Sequence, residues 1–183
     1  FLSIILKPAS LTPRSALALG DILVEAGVPA EAVHVLPGPG GLIGDALVAD
    51  RRVAKVSFTG ETATGASILR SSSDNITRVS LELGGKSAAI VFADADVAKA
   101  AAEMPMSVFG NAGQDCCARS RILVERSVYD DFVAAFVRHT EAIKVGEPTD
   151  EATEMGPLVS AGQRKTSLDY IGIGTEAGAR VVT

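Results

Sequence analysis

Short apolar runs alternate with stretches of helical periodicity along the first half of the chain. The apolar runs predict β-strands, and residues recurring every three or four positions between them predict helices. A Thr12-Pro13 pair is typical of a helix start and Gly27 of a helix end. The predicted apolar face of that first helix is Leu19, Ile22, Leu23 and Ala26. The predicted strands are residues 4–7, 32–36, 53–58 and 76–83, and the later helices are residues 42–49 and 63–71.

The alternation continues beyond the Gly84-Gly85 pair, which is the natural hinge between two halves. Ser127 is predicted to open a helix that carries one apolar stripe. That stripe, which we expect to pack in a core, is Val128, Phe132, Ala135 and Phe136. The other elements predicted in this half are strands at residues 87–92 and 121–125 and a helix at residues 94–109.

Strands alternating with helices predict an α/β fold. We expect part of a doubly wound parallel sheet over residues 1–83. Part of a second α/β domain is expected over residues 84–183.

Composition and charge narrow the class of protein. Of 183 residues, 47% are hydrophobic and 21% are charged, as in globular proteins. The net charge of −5, without a dense basic run, argues against nucleic acid or a charged membrane surface as a partner. No apolar run is long enough for a membrane span, and the opening FLSIIL lacks the basic segment of a signal peptide.

The two cysteines indicate the compartment of the protein, and the chain ends indicate whether the chain is complete. Two adjacent cysteines cannot form a disulfide that crosslinks distant parts of the chain, which fits a protein of the reducing cytoplasm. The chain starts at Phe1 and stops at VVT (181–183), in strand-like residues at both ends. We therefore expect a fragment of a longer protein.

The stretch GETATG (60–65) lies between a predicted strand and a predicted helix. Such a glycine-bracketed turn lets the backbone approach a phosphate at the helix start. It lacks the Lys-Ser/Thr of a P-loop and is not the G-x-G-x-x-G fingerprint. A tight turn without a ligand is the alternative.

Glu82 and the stretch GQDCCA (113–118) are the remaining chemical candidates. A carboxylate within VSLEL, on a strand expected to be buried on both faces, is costly unless it is used or paired in a salt bridge. A cysteine in a loop between a helix and a strand is either a nucleophile or a small buried hydrophobe. Glycines at 110 and 113 permit unusual backbone angles there. His34 and His139 have no companion ligands, so we expect no metal site, and both are expected to be structural.

Together these stretches resemble the NAD(P)-dependent aldehyde dehydrogenase superfamily, over nearly the whole chain. The matching motifs, in order, are LKPAS-x-TP (6–13), PG (37–38), FTGETATG (58–65), LELGGKS (81–87), FGNAGQDCCARSRILVERSVYDDF (109–132) and VGEPTDEATEMGPLVS (145–160). The resemblance implies the end of a Rossmann-like cofactor domain and the start of a thiol-bearing catalytic domain.

The resemblance also implies residue roles. Cys116 matches the nucleophile, with Cys117 as its neighbour, and Glu82 matches the general base. Cys116 would attack the aldehyde, giving a thiohemiacetal and then a thioester that water activated by Glu82 hydrolyses. The cofactor, NAD or NADP, would be bound by Lys7, Ser10, Thr59, Gly60, Glu61, Gly65 and Leu83.

Three departures from the family pattern matter. The family's oxyanion Asn would precede residue 1, and the Glu that holds the nicotinamide ribose would follow residue 183, as would the oligomerisation segment. We therefore expect an incomplete sheet with an unpaired edge, and a chain that alone is inactive and folds poorly. Ser10 stands where many NAD-preferring members have Glu, so NADP is admissible. Glu61 stands near the pyrophosphate, where Ser is frequent, and fits only if its side chain turns outward.

Other readings remain open at this stage. An acylating enzyme would pass the thioester to coenzyme A, although retention of Glu82 favours hydrolysis. An inactive binding relative of the fold and a cofactor-independent thiol hydrolase are the alternatives from other classes. A small-molecule aldehyde is the expected substrate, and a homo-oligomer in the cytoplasm is the expected state of the complete protein.

Overall fold

The structure, a computed structural model, describes residues 2–183. The predicted strand-like start at Phe1 lies outside the described residues. The chain divides into two compact units, the first ending at Leu83 and the second beginning at Gly84. Among residues 2–183, none of the helices has the length and apolar character that a bilayer span requires.

The first unit alternates strands and helices, as the hydrophobic pattern predicts. Its elements are β1 (Ile4–Leu6), α1 (Arg14–Glu25), β2 (Val33–Val35), α2 (Asp45–Ala49), β3 (Lys55–Gly60), α3 (Thr62–Ser73) and β4 (Arg78–Leu83). Short 3-10 and π segments precede β2 and α2. The α/β class is confirmed.

The strands pair in parallel but do not form one continuous sheet. In the described residues β1 pairs only with β2, and β3 only with β4. Parallel pairing is what strands joined by helical crossovers require. Each pair leaves open edges, which agrees with the predicted incomplete sheet.

Helix α1 ends as the sequence indicates but begins differently. Thr12 was expected to cap it, but the residue before the helix is Pro13 and no side chain caps it. Gly27 does end the helix, with φ of +95°, a backbone angle that glycine adopts without strain. The predicted apolar face stays largely uncovered in the described chain: Ile22 is 57% exposed and Leu19 44%.

The second unit contains the principal buried cluster. Its elements are β5 (Ala88–Val91), α4 (Val97–Phe109), β6 (Arg121–Val124), α5 (Tyr129–Glu141) and α6 (Ala161–Glu176), with β5 and β6 in a third parallel pair. Val91, Ala101 and Phe132 form the cluster, and Phe136 stacks on Phe132 with ring centroids 5.7 Å apart. The predicted stripe on α5 is therefore confirmed as core at Phe132 and Phe136.

Side-chain hydrogen bonds set two of the helix starts in this unit. The Asp96 carboxylate accepts from the Lys99 amide at 3.0 Å and caps α4. Ser160 caps α6 in the same way, accepting from the Gln163 amide at 3.1 Å. The predicted opening of α5 by Ser127 is wrong, because that hydroxyl instead donates to Glu125 at 2.9 Å and α5 begins at Tyr129. Residues 181–183, which look strand-like in sequence, form no strand.

Candidate active site

The loops that follow β1 and β2 meet at the carboxyl ends of these strands. Lys7 is half-buried, and its Nζ donates to the Pro8 carbonyl at 2.6 Å. Ser10 Oγ donates to the Gly38 carbonyl at 3.0 Å and so ties the two loops together. In open α/β sheets ligands bind outside the carboxyl ends of the strands, which is where both predicted residues lie.

The predicted glycine-bracketed turn at 59–65 is much tighter than expected. Strand β3 runs through Gly60 and helix α3 begins at Thr62, so only Glu61 separates them. Gly65 is a buried helical residue, and a Cβ there would lie 2.9 Å from Leu83 Cδ2. Gly65 therefore allows α3 to approach β4, while Gly60 has no room for a Cβ beside the Phe58 ring.

The start of α3 has the properties of an anion-binding position. No side chain caps it, so its first backbone amides are left without a helical partner. The Glu61 carboxylate is exposed and accepts from Thr64 Oγ1 at 3.0 Å, so it bonds along the first turn and makes no hydrogen bond to those amides. The donors that remain suit a phosphate group.

The register of β3 and β4 brings Glu82 beside the turn that joins β3 to α3. Thr59 pairs with Glu82, and Gly60 pairs with Leu83. The predicted base and the predicted cofactor turn are thus neighbours in one ladder.

Glu82 itself does not have the buried environment that its sequence suggests. The strand was expected to be buried on both faces, but Glu82 is exposed and its flanking leucines are only half-buried. Within the described residues it makes no salt bridge, so that alternative is not observed. In the described chain the main contacts of β4 are with α3 and with its paired strand β3, which leaves Glu82 open to solvent.

In the second unit, the loop from Gly110 to Ala118 carries the cysteines on a strained backbone. Gly113 has φ of +73°, but Gly110 has an ordinary φ of −49°, so only one of the two glycines is used as predicted. The other left-handed residues are Asn111 and Ala112, with φ of 53° and 56°. Such angles cost about 1–3 kcal/mol each in a non-glycine residue and persist only when the surroundings impose them.

Gln114 is the residue that imposes this conformation, and the sequence argument treated it only as part of a motif. Its Nε2 donates to the Asn111 carbonyl at 3.0 Å, and its own carbonyl accepts from Asn111 Nδ2 at 3.1 Å. Its Oε1 accepts from the distant Val159 amide at 2.9 Å. The signal available in sequence is a Gln directly after Gly113, which does not indicate a partner 45 residues away.

Cys116 and Cys117 occupy the centre of a turn closed by the Ala118 amide, which donates to the Asp115 carbonyl at 3.2 Å. Both thiols are exposed, with 3.7 Å between their Sγ atoms. The Cys117 amide donates to Asp115 Oδ1 at 3.0 Å. The Cys116 amide has no partner among the described residues, so it is free to donate to a substrate oxygen.

Nothing in the described chain activates the Cys116 thiol. The hydrogen bond to Cys117 raises the pKa of Cys116 above its ordinary value, and the nearby Asp115 charge acts in the same direction. A nucleophilic thiolate needs a lowered pKa or an adjacent base. The His34 ring lies 3.1 Å from the Glu31 carbonyl, and His139 lies in the last turn of α5.

The fold and these residues define an α/β protein with an exposed nucleophile candidate and an anion-binding strand–helix turn. The chain belongs to the aldehyde dehydrogenase family, because the sequence model of that family matches residues 3–183.

Known relatives support this assignment at substantial identity. The chain is 46% identical over 182 residues to a mitochondrial aldehyde dehydrogenase of Leishmania tarentolae, covering 99% of this chain and 36% of that protein. The solved betaine aldehyde dehydrogenase of Staphylococcus aureus, in complex with NAD⁺, superposes with a TM-score of 0.95 at 35% identity, over 99% and 36% of the two chains. The solved structure of a 3,6-anhydro-L-galactose dehydrogenase in complex with NAP superposes with a TM-score of 0.94 at 42% identity. The match covers 99% of this chain and 38% of that one. The chain thus spans little more than a third of its relatives' length.

Proposed function

We propose that the complete protein oxidises an aldehyde to a carboxylic acid with NAD⁺ or NADP⁺, using Cys116 as nucleophile and Glu82 as general base. The observation that carries the proposal is the Cys116 thiol, exposed on the turn that follows the left-handed residues Asn111 and Ala112 and with its own amide free. A thiol and an amide donor on one residue are what capture of a carbonyl carbon and its developing oxyanion needs.

The chemistry divides between the two residues. The Cys116 sulfur attacks the aldehyde carbon, and its amide donates to the resulting oxyanion of the thiohemiacetal. When bound, the nicotinamide cofactor supplies the hydride acceptor that leaves a thioester on Cys116. Glu82 then takes a proton from a water molecule that attacks the thioester, releasing the acid and restoring the thiol.

Residues of the first unit fit a dinucleotide. We assign residues 1–83 to the cofactor-binding domain and 84–183 to the thiol-bearing catalytic domain. The uncapped start of α3 suits the pyrophosphate, with Thr59, Gly60, Glu61, Gly65 and Leu83 shaping the turn. Lys7 and Ser10 lie at the strand ends where the adenosine ribose would be bound.

Ser10 supports use of either nicotinamide cofactor. A carboxylate at this position would repel a 2′-phosphate, whereas a hydroxyl already bonded to Gly38 adds no charge. We expect NADP⁺ to serve comparably to NAD⁺ in the complete enzyme. A preference for NAD⁺ above about 100-fold, roughly 2.7 kcal/mol, would contradict this role of Ser10.

Steady-state and trapping experiments on the complete protein test the function. We expect NAD(P)H and free acid from an aldehyde panel, and a loss of about 10³-fold or more in kcat for Cys116→Ser. Glu82→Gln should accumulate an acyl group on Cys116 that mass spectrometry detects. The same adduct should form when Cys117→Ser is combined with Glu82→Gln, because Cys117 is not the nucleophile.

Other products would point to the competing functions. Acyl-coenzyme A in place of free acid would indicate the acylating reaction. Ester hydrolysis without nicotinamide would indicate a thiol hydrolase. A complete protein that binds a dinucleotide but forms no adduct on Cys116 would be an inactive binding relative.

We further propose a homo-oligomer in the cytoplasm, without a nucleic-acid or membrane partner. The acidic net charge of −5 supports the absence of a nucleic-acid partner. Relatives include proteins named mitochondrial and cytosolic, so the compartment needs its own test. Light scattering after gel filtration measures the oligomeric state, and fractionation of the source cells measures the compartment.

A further inference from the structure

Three different ligand groups converge on the turn that carries the cysteines. The Sγ atoms of Cys116 and Cys117 and a carboxylate oxygen of Asp115 all lie within 4.8 Å of one another. All three residues are exposed, and the structure contains no ion there. The expectation of no metal site rested on His34 and His139. It did not cover this group, whose ligands are adjacent in sequence and include no histidine.

Hydrogen bonds fix the backbone of the turn and the Asp115 carboxylate. The Ala118 amide closes it on the Asp115 carbonyl at 3.2 Å, and Ala118 is buried. The Cys117 amide fixes one carboxylate oxygen of Asp115 at 3.0 Å, which leaves the other oxygen of that carboxylate available. Central residues of a four-residue turn project their side chains outward together, which explains why the two thiols are neighbours.

The spacing of the sulfurs matches a tetrahedral metal site. Two thiolates bound to one zinc ion at about 2.3 Å each, with a tetrahedral angle, lie about 3.75 Å apart. The Sγ atoms of Cys116 and Cys117 lie 3.7 Å apart. A disulfide would require the two sulfurs to approach to about 2.05 Å, so the turn as it stands fits a shared ion better than an S–S bond.

We propose that Asp115, Cys116 and Cys117 form a binding site for one thiophilic divalent cation of the zinc and cadmium type. Each thiol gives up its proton to solvent as its sulfur binds the ion. The Asp115 carboxylate supplies a third ligand, and water completes a tetrahedral set. Soft thiolates select such ions over magnesium or calcium, which prefer oxygen ligands.

Occupancy of this site blocks the nucleophile. A sulfur whose lone pair is bound to the cation cannot attack a carbonyl carbon, so the ion acts as a reversible inhibitor. This consequence rests on the proposed function, whereas the binding itself does not.

Cadmium titration of the complete protein, under a thiol-free reductant and with the Cys116→Ser/Cys117→Ser double variant as the background, tests the binding directly. Cadmium bound to thiolate absorbs in the ultraviolet, and we expect this band to saturate at one ion per chain. Cys117→Ser should weaken binding by about tenfold or more and reduce the band to that of one thiolate. Asp115→Asn should weaken binding by about three- to tenfold with the band retained.

Controls separate the site from nonspecific binding and from unfolding. Asp94→Asn removes an exposed carboxylate that makes no hydrogen bond in the structure, and it should leave the titration unchanged. Circular dichroism of each variant checks that the secondary structure is kept. In strong urea the affinity should fall by about tenfold or more, because the turn no longer holds Asp115 and the thiols together.

Three results would overturn the proposal. They are saturation at one ion per two chains, binding without the thiolate band, and equal affinity in Cys117→Ser. In the complete protein, Zn²⁺ should slow NAD(P)H formation in competition with aldehyde. A complete protein that binds Cd²⁺ as expected but oxidises no aldehyde would refute the proposed function while leaving the cation site standing.

Discussion

At the scale of single residues, Gln114 has the largest structural role in the cysteine loop. It is bonded to Asn111 through both its side chain and its carbonyl, and it reaches the Val159 amide. These bonds hold two left-handed residues, Asn111 and Ala112, in place. The position of Cys116 therefore depends on a residue that carries no charge and performs no chemistry.

Replacing Gln114 should loosen the loop. We expect Gln114→Ala to lower the free energy of unfolding by about 1–2 kcal/mol, since the side-chain hydrogen bonds to the Asn111 carbonyl and from the Val159 amide are lost. Hydrogen exchange at the Val159 amide should become faster, because that amide loses its acceptor. Urea unfolding and amide exchange measure the two effects.

Gln163→Ala is the matched control for this experiment. Gln163 is exposed on α6, and its side chain makes no hydrogen bond in the structure. It should change neither the stability nor the exchange at Val159 by more than about 0.5 kcal/mol. Unchanged exchange in Gln114→Ala would refute the role of Gln114.

The candidate residues could be found from sequence, but their environments could not. Glu82 was expected to be buried because it lies in an apolar run, yet it is exposed. Alternation along a strand shows which faces favour burial, but it does not show whether another element covers them. The thiol–carboxylate contact at 115–117 also depends on the turn geometry, which spacing alone does not define.

At the scale of elements, the packing of α3 on β4 depends on one small residue. Gly65 is buried, and an added Cβ would lie 2.9 Å from Leu83 Cδ2. We expect Gly65→Ala to destabilise the first unit by about 1 kcal/mol, because the Leu83 side chain must shift to make room for the added methyl group. Thermal or urea unfolding measures this loss.

Gly172→Ala, on α6, is the control for this experiment, and we expect it to stabilise the chain where Gly65→Ala destabilises it. An added Cβ at Gly172 meets no atom within 4 Å, and the residue lies inside α6. Alanine should therefore stabilise by up to about 1 kcal/mol through helix propensity alone. Equal effects of the two substitutions would show that α3 does not pack closely on β4.

The Glu125 carboxylate, directly after β6, accepts a hydrogen bond from the Ala93 amide after β5. The stability that this contact contributes should depend on pH. The Ala93 amide donates to it at 2.8 Å and Ser127 at 2.9 Å, and these bonds hold the pKa of Glu125 below its usual 4.5. A carboxyl with a lowered folded-state pKa stabilises above its unfolded pKa, and this stabilisation is lost as pH falls through the folded value. Glu125→Gln should therefore lower Tm at pH 7, with the difference shrinking in acid.

Melting curves between about pH 7 and pH 3 measure this difference. Glu151→Gln is the control, because Glu151 is exposed and makes no side-chain hydrogen bond in the structure. Its Tm difference from the unaltered chain should not vary in this way. A Glu125→Gln difference that persists unchanged in acid would exclude the proposed linkage.

The order of elements was predictable, whereas several boundaries were not. Periodicity predicted the strands and helices in both halves. It missed that α3 starts directly after Glu61 and that Ser127 bonds to Glu125 instead of capping α5. Competing hydrogen-bond partners and close packing decide such boundaries, and neither is visible in a local pattern.

At the scale of the whole molecule, many residues of core type remain exposed. Examples on β5 and β6 are Ile90, 59% exposed, and Leu123, 48% exposed. Helix α6 has no buried residue although it carries several large apolar side chains. The hydrophobic pattern correctly identifies surfaces that require cover, but it cannot show that the described residues leave them open.

We expect the 183-residue chain alone to form no NAD(P)H from aldehyde. The pKa of Cys116 is raised, and Glu82 is exposed and makes no hydrogen bond in the described chain. Stabilisation of the oxyanion by the Cys116 amide alone would leave the rate about 10²–10³-fold lower than with a second donor. A coupled absorbance assay with the complete protein as the positive control measures this, and turnover of about 1 s⁻¹ or more by the chain would contradict it.

The pairing of β3 with β4 has a consequence for how such a chain changes over generations. One ladder sets Thr59 opposite Glu82 and Gly60 opposite Leu83. An inserted or deleted residue within β4 would turn Glu82 to the other face and shift the partner of Gly60 in the same event. A change of length between α3 and β4, in residues 74–77, would leave this register unchanged. A single change of length in β4 would therefore alter the proposed base and the proposed cofactor turn at once.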